Sequence, residues 1–194
     1  MNTRVSFQQE IRSYLLQKQI PNIDRTDGFD KLDFEITISG VRFYLEAKEK
    51  RQRYRLSNWK WEGEEENLVI IDELSVRKCL GVAPYSGILV RDCTKERYIF
   101  YSILRLLLIP KKRVNRVIHR AVQALKGKWL VDVRNGIVCT SLDESFEKIV
   151  RYIEVLPQAL QALECLGNFL GESIGRGGIV RQPEHWEKDV KETW

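Results

Sequence analysis

Two runs of alternating polarity, set either side of Ser39-Gly40, constrain this chain more than any other feature in it. Residues 31–38 read Lys-Leu-Asp-Phe-Glu-Ile-Thr-Ile and residues 41–48 read Val-Arg-Phe-Tyr-Leu-Glu-Ala-Lys. A period of two sends successive side chains to opposite faces, so each run predicts a strand with one apolar face. Ser39-Gly40 supplies a two-residue hairpin turn, and such a turn fixes the register of the pair. Leu32, Phe34, Ile36, Ile38, Val41, Phe43, Leu45 and Ala47 then share the face turned to the core. On the other face Asp33 falls opposite Glu46, and Lys48 lies two residues further along, across from Lys31.

Directly opposed residues of a hairpin have Cβ atoms about 5 Å apart. Two carboxylates held that close repel unless a cation lies between them. Mg²⁺ (or Mn²⁺) is the natural occupant, because it takes hard oxygen ligands and keeps several waters. The backbone carbonyl of Ala47 is a further oxygen within reach. A metal there activates water and steadies charge on a phosphodiester, and Lys48 is placed to orient that water or to neutralise developing negative charge. The bland reading of the same residues is a solvated strand face with cross-strand charge pairs, which Glu35, Arg42 and Tyr44 also fit.

The rest of the chain supplies a frame. Ser6 to Gln9 fits a capping box, followed by Phe7, Ile11, Tyr14 and Leu15 at helical spacing, with a stop before Pro21. Residues 22–30 read as a polar loop and residues 49–66 as a charged, aromatic loop. Strands are predicted at 67–71, 86–91 and 97–103, with a short helix near 73–80. After Pro110, Val114, Val117, Ile118, Ala121, Val122 and Leu125 form a stripe of period 3.6, which predicts an amphipathic helix over 111–126. Trp129–Val133 and Ile137–Thr140 flank Asn135-Gly136, which predicts a second hairpin. A capping box at Ser141–Glu144 opens one helix, and Pro157 opens another that stops near Gly171.

Composition excludes several classes. With 43% hydrophobic and 30% charged residues and a mean hydropathy of -0.34, the chain is neither a disordered nor a membrane protein. The apolar stretch Ile103–Ile109 is too short to span a bilayer, and the opening residues lack an apolar signal region, so the expected location is cytoplasmic. Cys79, Cys93, Cys139 and Cys165 have no close spacing and there are two histidines, which argues against a zinc site and for reduced thiols. The net charge of +5 is regional: residues 95–128 hold ten lysines and arginines against the single acid Glu96. A phosphate-binding face needs such a bias. Lys112, Arg113, Arg116 and Arg120 lie opposite the stripe of the predicted helix, and Arg51 and Arg53 follow the hairpin. These six are the candidate nucleic-acid contacts. Tyr54, Trp59 and Trp61, interleaved with bases, suit either stacking on unpaired bases or packing of the loop onto the body.

Asp33, followed after twelve residues by Glu46-Ala47-Lys48 on the next strand, resembles the D…ExK core of the PD-(D/E)xK nuclease superfamily. Residues 4–92 follow the helix, hairpin, strand, helix and strand order of that family's core, which is about half the chain. Leu32 stands where the family name has Pro. The resemblance implies an α/β fold with a restriction endonuclease-like core, a mixed β-sheet flanked by helices, here carrying a helical and hairpin C-terminal extension. It divides the chain into a core at 1–105, an extension at 106–171 and an irregular tail at 172–194. It implies catalytic roles for Asp33, Glu46 and Lys48, and for Glu10 as the glutamate that members often contribute from the first helix. Asp33, Glu46 and the Ala47 carbonyl are the implied metal ligands.

The function expected from this is an Mg²⁺-dependent endonuclease acting on nucleic acid, DNA before RNA. The alternative is a nucleic-acid-binding or assembly protein on the same fold without catalysis. No membrane partner is expected. The helices after residue 141 suit a dimerisation element, a lid or plain support, so a homodimer is one arrangement they allow.

Overall fold

The hairpin forms as its alternation requires. In the computed structural model, which describes residues 5–28, 31–59, 61–117 and 125–173, Ser39 and Gly40 both take positive φ, 51° and 78°. That is the condition for a type I′ turn, whose twist matches the strands it joins. β2 (Phe34–Ile38) and β3 (Val41–Lys50) pair antiparallel, with Phe34 opposite Leu45 and Ile38 opposite Val41. Extended by one step, this register sets Asp33 against Glu46.

β3 then runs parallel to β5 (Ser86–Asp92), and β5 pairs antiparallel with β6 (Arg97–Ser102). β1 (Asn22–Asp24) and β9 (Ile137–Cys139) complete a six-stranded mixed sheet of order β1-β2-β3-β5-β6-β9. A second sheet, of order β4-β8-β7, joins β4 (Leu68–Asp72), β7 (Lys111–Val117) and β8 (Leu125–Asp132). The helices are α1 (Phe7–Gln17), α2 (Glu73–Leu80), α3 (Ile103–Leu108) and α4 (Leu142–Ser173). The expected class, α/β with a mixed sheet flanked by helices, is the architecture observed.

The two faces of the large sheet are covered differently. On one, Phe34, Ile36, Phe43, Leu45, Ala47, Leu89 and Phe100 pack against Phe7, Ile11 and Leu15 of α1 and Phe146, Ile149 and Ile153 of α4. On the other, Ile88, Val90, Ile99 and Tyr101 pack against Val76 and Cys79 of α2, Ile103 and Leu106 of α3, and Val69, Ile71 and Val131 of the small sheet. The Ser6 hydroxyl caps α1 by accepting from the Gln9 N–H, and Ser141 does the same for the Glu144 N–H at the start of α4.

Several expectations need correction. Of the helix expected over 111–126, residues 111–117 and 125–126 are strand and 118–124 lie outside the described residues: β8 pairs with both β4 and β7, and those ladders override a stripe that happened to run at helical period. Asn135-Gly136 makes no hairpin. A 3-10 turn at Val133–Asn135 hands the chain from β8 in one sheet to β9 in the other. Gly136 serves close packing instead, since a Cβ there would lie 2.3 Å from Ile99 Cγ2. Leu32 packs with the second apolar cluster, on the far side of the sheet from Phe34, because β2 begins only at Phe34. Pro157 lies inside α4 rather than opening a new helix. Residues 22–24 of the expected loop form β1. Residues 106–171, expected as an extension, lend strands to both sheets. The chain divides into two compact units, 1–153 and 154–194; in the second, the described residues continue α4 to Ser173. No described helix is long and apolar enough to cross a membrane.

Candidate functional site

Alternation along β3 decides which side chains meet. Phe43, Leu45 and Ala47 point into the α1 side of the sheet, so Glu46, Lys48 and Lys50 point to the side covered by α2 and the small sheet. Glu46 is 2% exposed. Its Oε1 accepts from Ser75 Oγ of α2 at 2.7 Å and from Lys48 Nζ at 2.7 Å. Its Oε2 is buried too, and among the described residues it has no hydrogen-bonding partner. An unmatched buried acceptor of this kind costs about 1–3 kcal/mol, more when charged, so such groups in folded chains call for an explanation.

Asp33 sits just before β2 and is also buried. Its Oδ2 accepts the Ala47 N–H at 2.8 Å, which is how the hairpin register holds the carboxylate beside Glu46. Its Oδ1 accepts from Gln8 Nε2 of α1 at 3.0 Å. Burial pushes the Asp33 carboxyl above its ordinary pKa and the charge of Glu46 pushes it further, against the Ala47 N–H, Lys48 and Gln8. Burial works to lower the Lys48 ammonium, but Glu46, Asp33 and Asp72 outweigh it and hold it above its usual value. Lys48 is therefore a cation at neutral pH, a donor and a charge rather than a base.

Two buried carboxylates side by side, the charge of Glu46 raising the proton affinity of Asp33, with one acceptor unmatched, form a donor set for a hard cation. Among the described residues no group of three or more His, Cys, Asp and Glu side chains is arranged for a metal. Proteins commonly hold Mg²⁺ or Mn²⁺ through one or two carboxylates, while waters and substrate phosphates fill the remaining positions. Asp33 and Glu46 are two such carboxylates, both buried and held together by the hairpin.

Glu46 and Lys48 open onto a cleft of about 520 Å³, whose wall also includes Asp72, Ser75, Arg77, Lys78, Arg113, Asn115 and Lys126. Asp33 lies behind this wall rather than in it. The cleft is basic, with five lysines and arginines against Glu46, Asp72 and Glu73. Arg113 reaches it from β7 and is held by Glu73 at 2.9 Å, and Arg77 binds the same carboxylate at 3.0 Å. Asp72 pairs with Lys128.

The expected contact residues scatter. Of Lys112, Arg113 and Arg116, expected on one helical face, Arg113 lines the cleft, while Lys112, one residue away on a strand, borders a separate pocket of about 340 Å³ with Trp61 and Glu62. Arg116 falls in β7, opposite Lys126 in register. Arg120 lies outside the described residues. Arg51 is exposed and pairs with Glu49, and Arg53 is exposed; neither lines the cleft. Glu10 does not meet the hairpin carboxylates. It binds Arg91 and the Tyr98 hydroxyl, and Arg91 in turn binds Glu49, on the face of β3 opposite Glu46. The α1 residue that reaches Asp33 is Gln8. Gln8 and Ser75 escaped the sequence reading because neither is signalled by period or charge; only the packing of α1 and α2 on the two sides of β3 selects them.

Neither a protein-family model nor a curated protein sequence matches the chain. Among solved structures it is similar to Hjc of Archaeoglobus fulgidus, a Holliday junction resolvase from an archaeal hyperthermophile, at 11% identity and a TM-score of 0.41, covering 68% of this chain and 87% of that one. It is also similar to D212, a nuclease from a fusselovirus, at 10% identity and a TM-score of 0.42, covering 76% of this chain and 87% of the other.

Proposed function

We propose that the chain is a metal-dependent nuclease of the PD-(D/E)xK type, hydrolysing phosphodiester bonds in nucleic acid at the Asp33–Glu46–Lys48 site, with DNA the substrate to test first. The observation that carries this reading is the unmatched Glu46 Oε2, buried beside a second carboxylate at the edge of a basic cleft. A purely structural cluster matches its buried charges; this one leaves a buried acceptor unmatched on a residue that borders the basic cleft.

Asp33, Glu46 and the Ala47 carbonyl would hold Mg²⁺ or Mn²⁺, which when bound supplies the electrophilic charge and acidified water that hydrolysis needs. The chain's own residues do the rest. Gln8 and the Ala47 N–H fix Asp33 from one side of the hairpin, and Ser75 fixes Glu46 from the other. Lys48, held as a cation, donates to Glu46 Oε1 and borders the cleft, where its charge would offset negative charge developing on the phosphodiester or the departing oxyanion. Arg77, Lys78, Arg113 and Lys126 supply the positive wall that draws in the polyanion.

The test is Lys48→Ala with nucleic-acid binding and cleavage measured side by side. Cleavage should fall by about 100-fold or more while binding changes little. Cutting at the wild-type rate would remove Lys48 from the mechanism. A wild-type protein that binds DNA and RNA but cuts neither with Mg²⁺ or Mn²⁺ would favour the non-catalytic binding protein.

A further inference from the structure

β7 and β8 outrun the sheet they belong to. β4 pairs with β8 from Leu68 opposite Asp132 to Asp72 opposite Lys128, and there it ends. β7 and β8 stay paired beyond that point, with Asn115 opposite Gly127, Arg116 opposite Lys126 and Val117 opposite Leu125. Past Lys128 the two strands therefore continue as a two-stranded ribbon.

The root of this ribbon is fixed against α2. Gly127 has no side chain, and Glu73 fills the space: a Cβ at Gly127 would lie 1.7 Å from Glu73 Oε2. Arg113 grips the same oxygen through Nε at 3.1 Å and Nη2 at 2.9 Å. The cleft is thus bounded by α2, with Arg77 and Lys78, by the ribbon, with Arg113, Asn115 and Lys126, and by Glu46 and Lys48 of β3.

Among the described residues lining this cleft, none is aromatic. The nearby aromatic side chains are used elsewhere: Trp59 is buried with Leu68 and Leu130, and Tyr54 and Trp61 pack onto that cluster. Proteins that hold single strands stack the bases on aromatic rings. A cleft with cations and an amide, but no ring, offers partners for phosphates and base edges and none for unstacked bases. A two-stranded β-ribbon, for its part, fits the major groove of a B-form duplex, which is about 12 Å wide.

We infer that the β7–β8 ribbon, through Asn115 and Lys126, is a docking arm for duplex nucleic acid, set into a groove with Lys126 on the sugar–phosphate backbone while α2 contacts the same duplex beside the Glu46 site. This rests on the nuclease reading for the cleft being the place where substrate lies, and it deepens that reading by choosing paired over unpaired strands.

The experiment is equilibrium binding by the full chain, in EDTA so that nothing is cut, to a labelled duplex and to one of its strands across a salt series. Wild type should bind the duplex more tightly than the strand by about tenfold or more, the usual sense of a groove-docked basic arm. Lys126→Ala should weaken duplex binding and reduce the slope of log affinity against log salt by about one contact, while Lys126→Arg keeps the slope. Lys148→Ala, an exposed charge on α4, should change neither. Equal or tighter binding of the single strand would overturn the inference, and so would a Lys126→Ala slope indistinguishable from that of Lys148→Ala. Because cleavage plays no part, ribbon-dependent duplex binding by a protein that never cuts would sink the nuclease reading and leave the arm standing. Cutting by a protein whose duplex binding ignores Lys126 would do the reverse.

Discussion

The same pair of strands, β3 and β5, carries a charged cluster on each face, and the two are built differently. On the α1 face, Arg91 donates to Glu10 and Glu49 and to the Val5 carbonyl, and lies over the Phe7 ring, while Tyr98 donates to the second Glu10 oxygen. Arg91 raises its own proton affinity through these partners, and Glu49, despite its burial, is held below the usual carboxylate range by Arg91. On the α2 face, Asp33 is pushed up instead of down, and Glu46 keeps a buried oxygen unmatched beside a cleft. One cluster has spent its charges on holding α1 to the sheet; the other leaves part of its charge available to a ligand. The difference, between Glu46 and Glu49 three residues apart on one strand, separates a structural ion-pair network from a candidate site.

That contrast predicts opposite mutational behaviour. Arg91→Ala strands two partly buried glutamates, so it should cost about 3–5 kcal/mol in denaturant unfolding, with the cleavage rate per folded molecule unchanged. A fall in rate without a fall in stability would show the α1 face to be part of the site. Glu46→Ala should do the converse, reducing cleavage by about 100-fold or more while Mg²⁺ no longer raises Tm as it does in the wild type. Retained stabilisation by Mg²⁺ in that variant would place the metal elsewhere.

Asp33→Asn gives a smaller effect and sharpens the sign. Because the folded chain holds the Asp33 proton to higher pH than the unfolded chain does, this group favours the fold most below its ordinary value of 3.8 and loses that contribution as pH rises toward the folded value. The amide removes the charge that is disfavoured near neutral pH, so metal-free Asp33→Asn should be more stable there by about 1 kcal/mol, with a shallower acid-side dependence. A variant less stable than wild type in EDTA at neutral pH would contradict the raised carboxyl. Smallest of all, Arg51→Ala removes an exposed partner of Glu49 and should shift stability by less than about 0.5 kcal/mol, since Arg91 already satisfies that carboxylate. A larger loss would mean that the loop after β3 is tied to the α1-face cluster.

What could be read from residues alone follows from where the information is local. The hairpin was legible because alternation and a two-residue turn fix register without help from the rest of the chain, and Asp33, Glu46 and Lys48 came with it. α2 and β5 were legible too, as short runs whose character is local to residues 73–80 and 86–91. The ribbon was not: Val114, Val117 and Leu125 satisfy a helical period, and only the pairing of β7 with β8, itself laid on β4 from more than forty residues before Val114, makes them strand. Gly136 misled through the opposite error, a turn signal at a position where glycine is needed for Ile99 and Tyr101 to approach. Glu10 follows from the family resemblance, as the glutamate members often contribute from the first helix, but Arg91, brought to it across the sheet, claims it first.

The most direct measurement is cleavage of plasmid DNA with Mg²⁺ or Mn²⁺ by the full chain and by Asp33→Ala. The account predicts metal-dependent cutting by the wild type, abolished by EDTA and absent in the variant. Equal cutting by both proteins would contradict the assignment of the hairpin carboxylates as the site.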